Sequence, residues 1–431
     1  MRSLQLIKKK HPGKHIFLTG FVFILFFVTG TAEAQDSVYT RSVINTLTGK
    51  KLYGRGYYLN GDGLAAQYLS KEFKAIGLEP VNGNYLQPFT FPVNSFPGKV
   101  SLKIGDKTLI PGKDFIVSPG CPAISGKFKI KKAQWPYAAF LKSDLSNDFI
   151  LIDKSTADSS GREQLDKMIH NPPLLRGLLI VEPQKLTWSV SQTVNDLAIV
   201  NVLQDSFPAD AGQLEIKVQS SLNEQHHTQN IIGIVPGTVN PDSFIVFTAH
   251  YDHLGQMGKD ALFPGANDNA SGVSMVLNLA RHYAAQANRT GKTMVFILFA
   301  GEEAGLVGSK YFVEHPLIPL DKIRFLINLD LLGTGDDGMM VVNGDVYKEE
   351  FQMLESINET GHLLKEIGKR GKAKNSDHYY FSEKGVPAFF FYTTGGSKAY
   401  HDIYDTADKL SLTGYSGVFK LITSFVDEVG K

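Results

Sequence analysis

Between residues 240 and 400 the chain repeats a pattern that leaves few folds open. A short, uninterrupted apolar run is followed by a helical stripe, and then by another apolar run. "SFIVFTAH" (243–250), "KTMVFILFA" (292–300), "IRFLINLD" (323–330) and "PAFFFYT" (387–393) read as strands. A strand with one wet face alternates apolar and polar residues. These runs do not alternate, so both of their faces must be covered. Between them lie "SGVSMVLNLARHYAAQA" (271–287), the start of a helix at "SKYFVEH", and the helical "FQMLESINETGHLLKEIG". The expectation is an α/β fold, a mixed, mostly parallel sheet sandwiched by helices. With 431 residues and 43% apolar composition, the chain can build one large core and a smaller module besides.

The smaller module is expected in the first half. Residues 60–78 read as a helix, with Leu64, Tyr68, Leu69, Phe73 and Ile76 on one face and Gly77 at its end. From about Phe96 the pattern changes to short strands and turns, with little helical periodicity. Residues 35–96 and 227–431 are therefore read as two parts of one domain, interrupted by a β-rich insertion over 97–226. The N-terminus is read as a signal peptide, residues 1–34. It has a basic start (Arg2, Lys8, Lys9, Lys10, Lys14), the apolar run "IFLTGFVFILFFVTG" and a small-residue cleavage site ending at Ala34. The run is short for a spanning helix. The mature chain is expected to be secreted or periplasmic, with no stable membrane association. Cys121 is the one cysteine, so no internal disulfide is available to an exported chain. The formal net charge of +1 and the lack of a clustered basic surface argue against a nucleic-acid partner.

The residues just past each strand carry the chemistry. The first strand ends in His250, with Asp252 two residues on. "PGANDNASG" then sets Asp268 before a helix. "FILFAGEEAGLVGS" runs straight into Glu302 and Glu303. The strand "IRFLINLD" ends in Asp330, and the late loop "AYHDIYDT" holds His401. In parallel sheets ligands bind beyond the carboxyl ends of the strands. A single carboxylate there is usually a solvated loop residue. Two imidazoles and three carboxylates at separate strand ends form an oxygen–nitrogen set suited to two zinc ions sharing one carboxylate. The paired glutamates then make sense. At a turn neighbouring side chains diverge, so one can bind metal while the other takes a proton from the attacking water.

"AHYDHLG", "GANDNASG", "LFAGEEAGLVGS", "INLDLLG" and "AYHDIYDT" resemble, in order and spacing, five motifs of the co-catalytic zinc aminopeptidases of peptidase clan MH. Glutamate carboxypeptidase II and glutaminyl cyclase share that clan. The resemblance covers roughly residues 40–95 and 228–425, and implies a zinc exopeptidase (phosphorylase/hydrolase-like) fold. It further implies that Asp268 bridges two metals, that His250 and Asp330 complete one site, and that Glu303 and His401 complete the other. It makes Glu302 the general base, has Asp252 orient the His250 ring, and matches Tyr400 to a tyrosine that in some relatives stabilises the oxyanion. "SDHYYF" (376–381) resembles a motif near the substrate pocket, which makes Asp377 and His378 candidates there. His253 is not at a ligand position, and His226, His227, His282, His315 and His362 are expected at the surface. The insertion resembles, loosely, a protease-associated domain.

The expected activity is removal of N-terminal residues from peptide substrates with two zinc ions per chain. A glutaminyl cyclase using one zinc, a carboxypeptidase and a metal-free binding module remain alternatives. The cyclase is disfavoured by "GANDNASG" and the binding module by the complete ligand set. A carboxypeptidase needs arginines for the terminal carboxylate. Of Arg281, Arg289, Arg324 and Arg370, only Arg370 lies in a segment that could reach the site.

Overall fold

The computed structural model describes residues 36–133, 145–155, 159–170, 175–209 and 211–430. The signal-peptide segment and the cleavage site at Ala34 lie outside the described residues. Among the described residues, no helix is long and apolar enough to cross a membrane.

A nine-stranded mixed sheet organises the chain. Its centre is parallel. In spatial order the strands Lys292–Phe299, Asn240–His250, Ile323–Leu329 and Ala388–Thr394 run side by side in one direction. Antiparallel partners flank them: Ser221–Val235 on one side and Gly338–Val342 on the other. The parallel character expected from the apolar runs thus holds for the centre and gives way at both margins.

The absence of alternation in these runs reflects two helical layers. Ile245, Phe247 and Ala249 pack into one core and Val246 into the other. Phe296 and Leu298 likewise oppose Val295, Ile297 and Phe299, and Phe325 and Ile327 oppose Leu326. The larger core takes the helices Ser37–Leu47, Gly61–Ile76, Gly272–Ala284, Lys348–Gly361 and Tyr415–Val429. The smaller takes Val307–Glu314 and His378–Glu383. The expected 60–78 helix is therefore present, but its most buried residues are Ala65, Ala66, Leu69 and Phe73, while Leu64, Tyr68 and Ile76 sit at its flanks.

A separate eight-stranded sheet occupies residues 100–218. It is more parallel than the sequence pattern suggests, since four neighbouring strands (Ile124–Lys132, Leu145–Asp153, Leu175–Glu182, Ala198–Leu203) all pair in parallel. It also contains a helix, Ser159–His170, whose stripe is short and contributes Leu165 and Met168 to a small core. The core of this second sheet does not stop at its own strands. Leu254, Met257, Ala261 and Phe263, from the segment between His250 and Asp268, are part of it.

Candidate metal centre

The Asn240–His250 strand lies between Lys292–Phe299, which follows it in sequence, and Ile323–Leu329, which comes after that. The chain therefore winds to one side and then to the other, and a crevice opens at the carboxyl end of the middle strand. His250 is the last residue of that strand. Asp330 directly follows its neighbour on one side, and Glu302 and Glu303 follow its neighbour on the other.

The side chains converge as pairs. His250 Nε2 lies 3.2 Å from Asp268 Oδ1 and 3.4 Å from Asp330 Oδ2. His401 Nε2 lies 3.0 Å from Asp268 Oδ2 and 3.1 Å from Glu303 Oε2. Each oxygen of Asp268 thus faces a different imidazole. Zinc bonds of about 2.0–2.2 Å in a tetrahedron put ligand atoms roughly 3.3–3.6 Å apart, close to these separations. Asp330 Oδ1 is buried with no hydrogen-bond partner, a cost that a bound cation would remove. The donor set and its spacing fit zinc at each pair.

The electrostatics point the same way. Burial alone would discharge the His250 ring, yet the charges of Asp330 and Glu302 drive its pKa well above the usual value. Burial likewise opposes charge on His401, and Glu303 and Asp268 push it up to about 11. Burial and the Asp268 charge resist ionisation of Glu303, but His401 and His253 hold it down to about 2. Glu302 goes the opposite way. Burial raises its pKa well above normal, and repulsion from Asp377, Glu303 and Asp330 adds to this against the attraction of His250. The two neighbouring glutamates therefore sit in different fields, one held in an ion-pair network and the other not, although both line a cavity of about 460 Å³.

The layer behind the ligands differs in several places from the expectation. Asp252 does hold the His250 ring, but through its backbone carbonyl, 3.2 Å from Nδ1; its carboxylate is 3.7 Å away. That carboxylate instead accepts the Tyr57 hydroxyl at 2.5 Å and the backbone N–H groups of Glu302 and Glu303 at 3.3 and 3.2 Å. It sets the glutamate turn rather than the imidazole. His253 is buried, with Nδ1 2.7 Å from Glu303 Oε1. His226 and His282 are not surface residues: His226 is buried against Asp62 at 2.7 Å, and His282 is half-buried against Tyr283 and Phe419. His227, His315 and His362 are exposed.

Three further residues escaped sequence reasoning. Ser376 donates to Asp330 Oδ2 at 3.1 Å and accepts from Asn328, whose own amide oxygen accepts from Thr248. Asp405 accepts the backbone N–H groups of Asn267 and Asp268 at 2.8–3.1 Å, clamping the Asp268 turn to the His401 loop. Arg55 is the only arginine or lysine buried among the described residues. Its guanidinium donates to the carbonyls of Tyr251, Leu47, Pro264, Gly265 and Asp268 at 2.7–3.3 Å. Gly265 is required beside it: φ is +61° and an added Cβ would lie 2.2 Å from the Asp268 carbonyl oxygen.

Tyr400 lines the cavity and stacks on the His401 ring, with centroids 3.9 Å apart. Asp377 and His378 do not line it. Both are buried, Asp377 pushed up to about 7 and His378 down to about 4 by desolvation. The wall is built instead by Arg370, Lys374, Asn375, Phe390 and Tyr392. The loop between Leu175–Glu182 and Ala198–Leu203 of the second sheet reaches the centre too. The Trp188 backbone N–H donates to the His401 carbonyl at 2.9 Å, and the Trp188 carbonyl holds His401 Nδ1 at 2.9 Å.

Comparisons with known proteins agree with this geometry. The model of peptidase family M28 matches residues 230–426, the stretch that supplies all five candidate ligands. Aminopeptidase YwaD of Bacillus subtilis is 28% identical over 261 residues, covering 57% of this chain and 54% of its own. A probable leucine aminopeptidase 2 of Aspergillus oryzae is 29% identical over 345 residues, covering 73% and 60%. In both, the match spans less than two thirds of the relative's own length. Among solved structures, BSAP, a zinc aminopeptidase from Bacillus subtilis, shares the fold with a TM-score of 0.69 at 20% identity, covering 91% and 94% of the two chains. A peptidase M28 precursor from Shewanella amazonensis does so with a TM-score of 0.72 at 16% identity, covering 92% and 94%. The stretch that matches the model of peptidase family M28, residues 230–426, is thus the one whose motif residues converge at this crevice.

Proposed function

We propose that this chain is an exported, zinc-dependent exopeptidase that removes N-terminal residues from peptides. The observation that carries the reading is Asp268, whose two carboxylate oxygens face two different imidazoles at 3.2 and 3.0 Å. That arrangement suits a carboxylate shared between two cations, with His250 and Asp330 at one and His401 and Glu303 at the other. Two bound zinc ions would supply the Lewis acidity that polarises the scissile carbonyl and acidifies the attacking water.

The chain's own groups do the rest. Glu302 lies on the cavity wall close to His250 and Asp330, where its carboxylate would take the water's proton and return it to the leaving amine. Asp252 fixes the backbone from which Glu302 projects. Tyr400, which stacks on His401 and lines the same cavity, would donate its hydroxyl to the developing oxyanion. Carboxylates at the same end of the cavity, Glu302 and Asp330, would bind the substrate's protonated α-amine. Support also comes from the relatives, several of which are named aminopeptidases.

N-acetylation of a good peptide substrate tests the reading. Blocking the amine should remove most of kcat/KM. Equal cleavage of the acetylated peptide from its C-terminus would replace the aminopeptidase with a carboxypeptidase. Zinc analysis of the purified protein should give about two ions per chain, and one tightly held ion would favour the cyclase.

A further inference from the structure

The cavity in front of the candidate metal centre is lined by charges of both signs. Asp268, Glu302, Glu303 and Asp330 line it, and so do Arg370 and Lys374. Among the described residues, no carboxylate lies within 4.0 Å of either cation. Two lysines close by in sequence do find carboxylates: Lys372 pairs with Glu383 at 3.5 Å and Lys365 with Asp337 at 3.0 Å. Two basic side chains on a cavity wall, with no acidic residue of their own, leave a position for an anion brought by the substrate.

Both side chains are solvent-exposed on that wall. Arg370 ends the edge strand Ile367–Arg370, and Nη1 donates to the Tyr392 hydroxyl at 3.0 Å. Tyr392 stands on Ala388–Thr394, two strands from His250, so this bond draws the guanidinium inward from the sheet edge over the cavity. Lys374 Nζ sits 5.5 Å from the rings of Tyr379 and Tyr380. Phe390 and Tyr392 are two apart on one strand, share a face, and lie with ring centroids 5.4 Å apart. The wall therefore offers an aromatic surface for methylenes that ends in a planar guanidinium and an ammonium.

We propose that this pocket selects substrates whose N-terminal residue carries a carboxylate side chain, glutamate above all. The proposal rests on the aminopeptidase reading and adds the substrate class. With the α-amine at Glu302 and Asp330, the two methylenes of a glutamate would lie along Phe390 and Tyr392. The γ-carboxylate would meet Arg370, whose fork accepts a carboxylate through two parallel bonds, and Lys374 would add charge. Glutamine has the same shape without the charge, so comparing the two isolates the cations' part.

The anilides of glutamate, glutamine and leucine should be hydrolysed by the zinc-loaded enzyme with a kcat/KM for glutamate about tenfold or more above glutamine. Adding salt should narrow the gap. In an Arg370→Gln/Lys374→Gln double variant with normal zinc content, the glutamate-to-glutamine ratio should fall to near one. Equal or better use of glutamine or leucine by the unaltered enzyme would overturn the proposal. A second arm separates the two sources of the carboxylate, using Leu-Gly and its C-terminal amide. Strong preference for the free dipeptide, with no glutamate preference, would assign the cations to the chain terminus and overturn the side-chain assignment. Calorimetry of free glutamate and glutamine with the zinc-loaded protein checks the pocket without turnover. Tighter binding of glutamate, lost in the double variant, supports the pocket even if no anilide is cleaved, in which case only the aminopeptidase reading fails. Equal binding of the two overturns it.

Discussion

Glu302 and Glu303 are adjacent in sequence, yet their surroundings assign them different work. Glu303 is tied to His401 and His253 at 3.1 and 2.7 Å. Glu302 has no such ties and borders the cavity. Glu302→Gln should therefore keep both zinc ions and lower kcat by roughly 10²–10⁴-fold, the range for losing a general acid–base group. Glu303→Gln should instead show its first effect as weakened zinc binding, measured by dialysis against a chelator series. If Glu302→Gln retained near-normal kcat, the base would have to be another group. Arg55 makes a second prediction at this scale. Its five donors fit five carbonyls around the Asp268 turn. Burial lowers its pKa to about 10, against the attraction of Asp268 and Asp405, so it stays charged near neutrality. Arg55→Lys keeps the charge but not the fork, and leaves buried carbonyls unpaired at about 1–3 kcal/mol each. Denaturant unfolding should show a loss of roughly 2–4 kcal/mol. A change near zero would mean that the turn is held without it.

At the scale of elements, the strands of the main sheet and the candidate ligands were legible because each carried a local signal. A short apolar run without alternation, bounded by turn residues, reads as a strand covered on both sides, and a His, Asp or Glu at its end stands out against it. The braces behind the ligands carried no such signal. Ser376, Asp405 and His253 act across 46 to 137 residues of chain, through bonds that no spacing reveals. The segment around Trp188 is the clearest case. It has neither helical nor strand periodicity, and its contact with His401 is made by a backbone carbonyl, which any residue would supply. What fixes it is the side chain: the indole stacks on Phe263 at 4.6 Å and its N–H donates to the Val117 carbonyl at 2.9 Å. Lys185, bonded to Asp402 at 2.8 Å, and Gln192, bonded to the Ala304 carbonyl at 2.6 Å, extend the strap on either side. Trp188→Ala should cost about 3–5 kcal/mol as a large buried side chain. It should also have a specific effect, loss of the more weakly held zinc, because the carbonyl that orients the His401 ring is no longer anchored in place. A variant with lowered stability but two full-affinity zinc ions would limit Trp188 to packing.

For the whole molecule, the centre is where separate parts of the chain are joined. His250, Asp268, Glu303, Asp330 and His401 come from five segments spread over about 150 residues, and the second sheet reaches the same point through Trp188. Within this cluster the buried carboxylates outnumber Arg55, the one buried side-chain cation of the arginine or lysine type among the described residues. Without metal, part of the folding free energy must go into holding like charges together, and the pKa of Asp330 is raised by burial and by Asp268, against His250 and Ser376. A cation that binds this arrangement and not the unfolded chain stabilises it by mass action, about 4 kcal/mol when free zinc stands a thousandfold above its Kd. For a chain of this length that corresponds to a rise in Tm on the order of 5 °C. Calorimetric melts of chelator-treated protein, before and after zinc addition, should show this rise. Magnesium should not reproduce it, because it prefers an octahedral shell of oxygens and water to imidazole. Asp268→Asn should abolish most of the rise, since it removes the charge that both pairs share. If zinc left the melting temperature of the unaltered protein unchanged, the five side chains would be a hydrogen-bonded cluster rather than a metal centre, and the proposed chemistry would fall with it.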